Sequence, residues 1–218
     1  MTAYVFDAYG TLFDVHSAVR RHMDAIGPDG PRLSEVWRTK QLEYSWVLAL
    51  AGRYRDFWSI TEEALDFAFA SVPGANRAAR NDLLDAYQTL DCYDEVPVAL
   101  RTLRDAGHRI AILSNGSPDM LASAVASAGL GDLLDDVFSV DPIQTFKTAP
   151  AAYALVTDAY GLEPSAVMFH SSNRWDIAGA TAFGFRCTWV NRTGQPDEYE
   201  ELAPKRTVAD LHALIGEA

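Results

Sequence analysis

The strongest constraint on the fold is the alternation of short apolar segments with helical segments in the second half of the chain. Apolar runs at residues 109–113, 137–140, 167–170 and 186–190 are each followed by residues with helical periodicity. Strands that alternate with helices in this way pair in parallel, because each helix returns the chain to the same end of the sheet. The sequence therefore predicts an α/β fold with an open, doubly wound, Rossmann-like parallel sheet.

Helices are predicted between these strands and after the last of them. The pattern places them at 98–106, from about residue 118, at 149–160, at 175–183 and near 208–215. The N-terminal residues 3–6 form a further apolar run that ends at Asp7. We interpret this run as a buried strand of the same sheet.

The region between residues 17 and 87 carries helical patterns only. Apolar and aromatic side chains recur there at helical spacing, as in Trp37, Gln41, Tyr44 and Leu48. Turn-forming residues are expected to interrupt these helices at Pro28, Gly30, Pro31, Pro73 and Gly74. We predict that residues 15–95 form a helical cap subdomain inserted into a core domain of residues 1–14 and 96–218.

The net charge of −12 argues against a general nucleic-acid-binding protein, which requires a basic surface. An anionic ligand would need a site made locally positive by a few Arg or Lys side chains. No apolar run is long enough to span a membrane, and the first residues lack a basic signal-peptide opening. The two cysteines, Cys92 and Cys187, have no metal-binding spacing, so reduced thiols in a cytoplasmic protein are expected.

Polar side chains follow three of the predicted strands directly. Asp7, the pair Ser114 and Asn115, and residues 171–173 (SSN) each lie where a strand ends. Open parallel sheets bind ligands at the carboxyl ends of their strands. We therefore expect these side chains to meet in one site.

Together these segments resemble the signature motifs of the haloacid dehalogenase superfamily. The matching segments are residues 6–13 (FDAYGTLF), 113–116 (LSNG), Lys147 and 171–176 (SSNRWD). The helical region is also similar to the cap of the L-2-haloacid dehalogenases, at residues 37–44 (WRTKQLEY) and 52–57 (GRYRDF).

The resemblance implies a nucleophilic aspartate, Asp7. A carboxylate placed in line with a carbon–halogen bond can displace halide in one step and form an ester. Lys147 would keep this carboxylate ionised, and Asp176 would act as the general base for the water that hydrolyses the ester. The implied catalytic residues are Asp7, Thr11, Lys147, Ser171, Asn173 and Asp176. Taken alone, Asp7 could be an ordinary turn residue and Lys147 a surface lysine.

The departing halide needs hydrogen-bond donors where negative charge develops. The resemblance assigns this role to Arg38 and Asn115, with apolar walls beside them and the substrate carboxylate held by Ser114 and the backbone near Tyr9. The implied substrate-binding residues are Tyr9, Arg38, Phe57, Ser114, Asn115, Tyr153 and Trp175. Taken alone, Arg38 could instead pair with Glu35 or Glu43 on a helix surface.

The residue two positions after the nucleophile separates two reaction types. Superfamily phosphatases have a second aspartate there and an acidic pair near the fourth motif, which together hold Mg²⁺. Here Tyr9 stands at the position of the second aspartate. In place of the acidic pair, Ser172 and Asn173 precede the single Asp176. So few carboxylates leave a hard cation without its usual ligands, so no metal or cofactor is expected.

The resemblance therefore predicts hydrolytic dehalogenation of short (S)-2-haloalkanoic acids to (R)-2-hydroxy acids through an aspartyl ester. The expected partners are this substrate and the halide ion, without nucleic acid or membrane. Apolar cap residues could bury a homodimer contact or pack onto the core. The alternatives are a Mg²⁺-dependent phosphatase of the same superfamily and a non-catalytic protein that binds small carboxylates.

Two positions depart from the family pattern. Thr148 follows Lys147 where the family often has proline, which leaves the shape of that loop open. His170 precedes Ser171 where an apolar residue is commoner, and we interpret it as a hydrogen-bonded strand-end histidine rather than as a catalytic base.

Overall fold

A computed structural model describes residues 2–215 and contains a six-stranded sheet with the strand order β3-β2-β1-β4-β5-β6. All neighbouring strands pair in parallel. This order is that of the doubly wound dinucleotide-binding folds, so the predicted fold class is confirmed. The strands are β1 (Ala3–Phe6), β2 (Arg109–Ser114), β3 (Asp136–Ser139), β4 (Val167–Ser171), β5 (Arg186–Val190) and β6 (Arg206–Val208).

Strand β1 lies in the middle of the sheet and brings Asp7 to the centre of its carboxyl edge. Phe6 pairs with Ile112 of β2 and with His170 of β4. Ala3 and Val5 pack into one apolar layer, while Phe6 packs into the larger layer on the opposite face. Burial on both faces explains why β1 is apolar throughout.

Nine α-helices accompany the sheet within residues 2–215. Five lie between Ser17 and Gln88, and the other four belong to the strand–helix units of the core. They are α1 (Ser17–Arg21), α2 (Met23–Ile26), α3 (Gly30–Leu50), α4 (Phe57–Ser71), α5 (Arg80–Gln88), α6 (Val96–Asp105), α7 (Pro118–Ser127), α8 (Pro150–Tyr160) and α9 (Arg174–Phe183). None of these helices is long and apolar enough to cross a membrane.

Two sequence predictions about element boundaries were wrong. Gly30 and Pro31 begin helix α3 instead of interrupting a helix, because proline is tolerated in the first turn, where no N–H partner is required. The helix predicted near 208–215 is instead strand β6 followed by a short 3₁₀ turn at Leu211–Leu214. Leu211 and Leu214 are both buried, and their three-residue spacing also fits this 3₁₀ turn.

The helical insert is joined to the sheet by two chain segments that run side by side. Phe13 and Cys92 form an antiparallel bridge, and the N–H of Tyr93 donates to the carbonyl of Leu12 at 3.1 Å. Helices α3 and α4 place the predicted cap residues over the carboxyl edge of the sheet, where Arg38 reaches Tyr9. The domain division at residues 15–95 stays a prediction.

Candidate active site

Lys147 lies between two carboxylates at the centre of the carboxyl edge. Its Nζ is 3.0 Å from Oδ1 of Asp7 and 2.8 Å from Oδ2 of Asp176. The lysine side chain and that of Asp176 are completely buried, and Asp7 is almost so. A buried ammonium needs such partners, so the interpretation of Lys147 as a surface lysine is excluded.

The charges of this triad shift one another's pKa values. Burial alone would lower the pKa of Lys147, but the charges of Asp176 and Asp7 outweigh it and raise that pKa. Burial raises the pKa of Asp176 to about 6, against the opposing charge of Lys147. Lys147 is therefore a fixed positive charge, and Asp176 can exchange a proton near neutral pH.

The second oxygen of Asp7 is held by neutral donors. Thr11 Oγ1 donates to Oδ2 at 3.0 Å, and Nδ2 of Asn173 donates to the same oxygen at 2.8 Å. Thr11 in turn accepts from the N–H of Ser172 at 2.8 Å. These contacts fix the orientation of the carboxylate, as a nucleophile in a preorganised site requires.

Asp176 is fixed by Tyr153, which donates to its Oδ1 at 2.9 Å. The close packing behind this pair requires glycine at position 179. A Cβ atom there would lie 2.5 Å from the Tyr153 hydroxyl and 2.7 Å from Cβ of Thr148. The loop of Lys147 and Thr148 is therefore packed directly against α9, with a cis peptide bond between these two residues.

The amide of Asn115 is oriented by the backbone of the lysine loop. Its Oδ1 accepts from the N–H of Lys147 at 2.9 Å, which leaves the Nδ2 donor directed elsewhere. Ser114 Oγ accepts from the N–H of Gly116 at 3.1 Å. Both side chains are buried at the sheet edge, as their positions after β2 predicted.

Arg38 reaches this edge from helix α3. Its Nη2 donates to the carbonyl of Tyr9 at 3.2 Å and to Oδ1 of Asn173 at 3.4 Å. The surface acidic residues considered as its partners pair elsewhere, Glu35 with Arg32 and Glu43 with Lys40. Arg38 therefore brings a positive charge to the carboxylate site despite the acidic composition of the chain.

Aromatic side chains enclose the space beside these polar groups. Phe57 of α4 lies 6.3 Å from Tyr9 and 6.1 Å from Phe146, measured between ring centroids. Trp175 makes an edge contact with Trp46 of α3, with ring centroids 5.5 Å apart. Such walls exclude water and strengthen electrostatic interactions within the site.

Similar proteins identify the family of this chain. Residues 1–184 match the haloacid dehalogenase-like hydrolase family. This chain belongs to that family. It is 48% identical to (S)-2-haloacid dehalogenase 1 of Pseudomonas sp. strain CBS-3, over 94% of this chain and 90% of that protein. It is 43% identical to (S)-2-haloacid dehalogenase 4A of Burkholderia cepacia, over 98% and 93%.

A solved structure extends the similarity within the haloacid dehalogenase-like hydrolases. The L-2-haloacid dehalogenase of Xanthobacter autotrophicus, with chloropropionic acid covalently bound, superposes with a TM-score of 0.86 at 39% identity. The match covers 99% of this chain and 97% of that one. The predicted family is thus confirmed, while the roles of individual residues stay predictions.

No metal cluster accompanies the site within residues 2–215 of this family member. No group of three or more His, Cys, Asp and Glu side chains there is arranged to hold a metal ion. The acidic residues at the sheet edge, Asp7 and Asp176, both contact Lys147.

Sequence reasoning missed three side chains of this haloacid dehalogenase-like site. Phe146 precedes Lys147 and packs between Phe57 and Tyr54, and its apolar character beside the lysine was the available signal. Tyr87 and Gln41 are buried in the cap, where the Tyr87 hydroxyl donates to Gln41 Oε1 at 3.3 Å. Their helical spacing was interpreted as ordinary packing.

His170 lies in the core and not in the catalytic group. Its ring stacks on Phe6 and Tyr4, at centroid distances of 4.7 and 5.7 Å. Burial lowers the pKa of His170 to about 4, so the ring is neutral at pH 7. Nδ1 has no hydrogen-bond partner among the described residues, so the expectation of a fully hydrogen-bonded histidine was wrong.

The pKa of Asp176 leads to an expected pH dependence. If Asp176 has its predicted role as the base that accepts a proton from water, turnover should fall as Asp176 becomes protonated, below about pH 6. Tyr153→Phe removes a hydrogen bond that lowers the pKa of Asp176, so the acid limb should move to higher pH. The acid limb of each protein is measured from initial halide-release rates of the wild type and of Tyr153→Phe between pH 4.5 and pH 9. An acid limb that is the same in both proteins would contradict the role of Asp176.

Proposed function

We propose that this chain is an (S)-2-haloacid dehalogenase that converts short (S)-2-haloalkanoic acids into (R)-2-hydroxy acids. The observation that carries this proposal is the Asp7 carboxylate, which is held by Lys147, Thr11 and Asn173 and faced by Arg38 from the cap. The related (S)-2-haloacid dehalogenases support it through their identity of 43–48% over nearly the whole chain.

In the first step a carboxylate oxygen of Asp7 attacks C2 of the substrate. The carbon–halogen bond breaks, its electron pair leaves with the halide, and an aspartyl ester forms with inversion at C2. Arg38 and the Nδ2 donor of Asn115 stabilise the departing halide in this proposal. Ser114 and backbone N–H groups near Tyr9 hold the substrate carboxylate, and Phe57 and Trp175 contact its alkyl part.

In the second step water attacks the carbonyl carbon of the Asp7 ester. Asp176 accepts a proton from this water, the bond between the carbonyl carbon and the ester oxygen breaks, and the proton returns to that oxygen, so that the 2-hydroxy acid leaves with the oxygen that Asp7 contributed. Asn173 and Ser171 orient the water in this proposal, and they lie together, with the N–H of Asn173 donating to the Ser171 hydroxyl at 3.1 Å. C2 is not attacked again, so the product keeps the inverted configuration.

The reaction needs no metal ion in this proposal. Lys147 supplies a positive charge that contacts both Asp7 and Asp176, the acidic residues at this edge within residues 2–215. Tyr9 stands where a phosphatase has its second aspartate, and its ring packs against Phe57 and Tyr87. These contacts favour dehalogenation over phosphoryl transfer and over simple binding of a carboxylate.

A homodimer is the proposed assembly. Helix α3 exposes Trp46, Val47 and Leu50 near its C-terminal end, and Leu50 is 91% exposed. Burial of this apolar surface against a second copy would stabilise an assembly. Sedimentation velocity of the purified protein gives the mass of the assembly.

A cytoplasmic location is also proposed, and the free thiols of Cys92 and Cys187 are consistent with it.

Halide release from racemic 2-chloropropionate in the presence of EDTA tests the proposed function. We expect chloride release to stop when half of the substrate is consumed, with D-lactate as the only product. Release that requires added Mg²⁺ would contradict the metal-free mechanism. If 2-chloropropionate, bromoacetate and fluoroacetate are all recovered intact, the dehalogenase proposal is wrong, and phosphate esters with Mg²⁺ become the next substrates to test.

A further inference from the structure

The side chain of Arg192, which follows strand β5, contacts the loop that carries Asp7. Its Nη2 donates to the carbonyl of Thr11 at 2.8 Å. The hydroxyl of the same threonine donates to Oδ2 of Asp7 at 3.0 Å. Thr11 therefore links the guanidinium of Arg192 to the carboxylate, through its carbonyl on one side and its hydroxyl on the other.

The orientation of Thr11 is fixed from both sides. Its hydroxyl accepts from the N–H of Ser172 at 2.8 Å, so the single hydroxyl proton is used on Asp7. A β-branched side chain has few rotamers, so the hydroxyl of Thr11 follows its backbone closely. A rotation of the peptide group at the Thr11 carbonyl would therefore move the hydroxyl relative to Asp7. The hydrogen bond from Arg192 to that carbonyl opposes such a rotation.

The guanidinium of Arg192 is itself fixed by the chain segment that returns from the helical insert. Nη1 lies 2.6 Å from Oε1 of Glu95, and Cζ lies 3.7 Å from the centroid of the Tyr93 ring. The side chains of Arg192 and Glu95 are 13% and 7% exposed. The N–H of Tyr93 donates to the carbonyl of Leu12 at 3.1 Å. Arg192 thus joins the end of β5 to the nucleophile loop and to the segment that runs beside this loop.

The contacts of Arg192 require a planar guanidinium. A lysine at this position could still pair with Glu95, but its single ammonium has no second nitrogen for the Thr11 carbonyl and no planar group to lie over Tyr93. A buried ion pair by itself is often no more stabilising than well-packed apolar side chains. The arrangement therefore favours a role for Arg192 at the Thr11 carbonyl.

We propose that Arg192 is a positioning residue for the nucleophile, because it holds the Thr11 carbonyl and thereby the direction in which the Thr11 hydroxyl meets Asp7. The inference rests on the proposed function and adds to it a residue outside the catalytic and substrate-binding sets. Within residues 2–215 the hydrogen bonds of the Arg192 side chain reach Thr11 and Glu95. Loss of the guanidinium should therefore slow the attack of Asp7 on C2 and leave the affinity for the substrate unchanged.

The test compares Arg192→Lys with the wild type in single turnovers, with enzyme in excess over (S)-2-chloropropionate. The plateau of the chloride-release rate at high enzyme concentration reports the attack, and the enzyme concentration at half of this plateau reports substrate binding. We expect the plateau rate to fall about tenfold, as for loss of a hydrogen bond to a charged group, and the half-saturating concentration to stay unchanged. Arg101→Lys, at an exposed arginine of α6, is the matched control and should behave as the wild type.

A double-mutant cycle with Thr11→Val separates positioning from a general effect on the fold. Valine removes the hydroxyl through which Arg192 acts, so Arg192→Lys should have little further effect on the plateau rate in the Thr11→Val background. An effect of Arg192 on stability alone would persist in that background.

Losses that multiply in the double variant, an unchanged plateau rate of Arg192→Lys, or a change in its half-saturating concentration would each overturn the inference. Melting temperatures show whether each variant is folded at the assay temperature, and an Arg192→Lys protein that is unfolded there would also overturn it. A wild-type protein that releases no halide would instead overturn the proposed function, and the inference with it.

Discussion

Lys147→Met is expected to abolish turnover and to destabilise the protein. The variant leaves Asp7 and Asp176 buried without a positive partner, and removal of one member of a buried ion pair costs about 3–5 kcal/mol. The two carboxyl groups will then retain a proton at pH 7, because adjacent buried carboxylates cannot both ionise. Loss of the Nζ contact to Asp7 and protonation of Asp176 should together lower turnover by roughly 10³-fold or more.

The stability of Lys147→Met should depend on pH with a definite sign. Loss of Lys147 removes the charge that lowers the pKa of Asp176, so the folded state will bind a proton more tightly than the unfolded state. The free energy of unfolding should therefore rise as the pH falls from 8 towards 5.5. Urea denaturation at several pH values measures this. Lys205→Met, at an exposed lysine, is the matched control, and equal stabilities of the two variants would contradict the account.

Asp7→Asn is expected to lower the halide-release rate by at least about 10⁴-fold, because the amide has almost no nucleophilic reactivity towards carbon. The replacement has nearly the same shape and can keep the contacts to Thr11 and Asn173, so the fold should be retained. Circular dichroism and the melting temperature check this. Asp132→Asn, at an exposed aspartate, should keep full activity. Turnover by Asp7→Asn near the wild-type rate would exclude Asp7 as the nucleophile.

The sequence predicted the sheet and the polar residues at its edge because these follow from local patterns. Apolar runs such as β1 and β2 are long enough to be recognised, and parallel pairing brings their carboxyl ends together. Strand β6 was missed because three residues carry little periodic signal, and among residues 2–215 it pairs with β5 alone. The start of α3 was misjudged because Pro31 marks either a break or a first helical turn.

The contacts of the site could be predicted less completely. Asp7, Lys147 and Asp176 were expected to act together, but only the fold shows that Lys147 lies between the two carboxylates. The direction of the Arg38 side chain depends on helix packing in the cap, which no local pattern encodes. Tyr87 and Gln41 have ordinary helical spacing, and their polar atoms gain significance only from the hydrogen bonds that join them.

The most direct test of the central claim, covalent catalysis by Asp7, is a single turnover in H₂¹⁸O with enzyme in excess over (S)-2-chloropropionate. The account predicts that the lactate formed carries no ¹⁸O at C2, because its hydroxyl oxygen comes from Asp7. Mass spectrometry of the peptide that contains Asp7 should then show one incorporated ¹⁸O atom. Lactate labelled with ¹⁸O at C2 in this first turnover, with an unlabelled Asp7 peptide, would show direct attack by water and contradict the account.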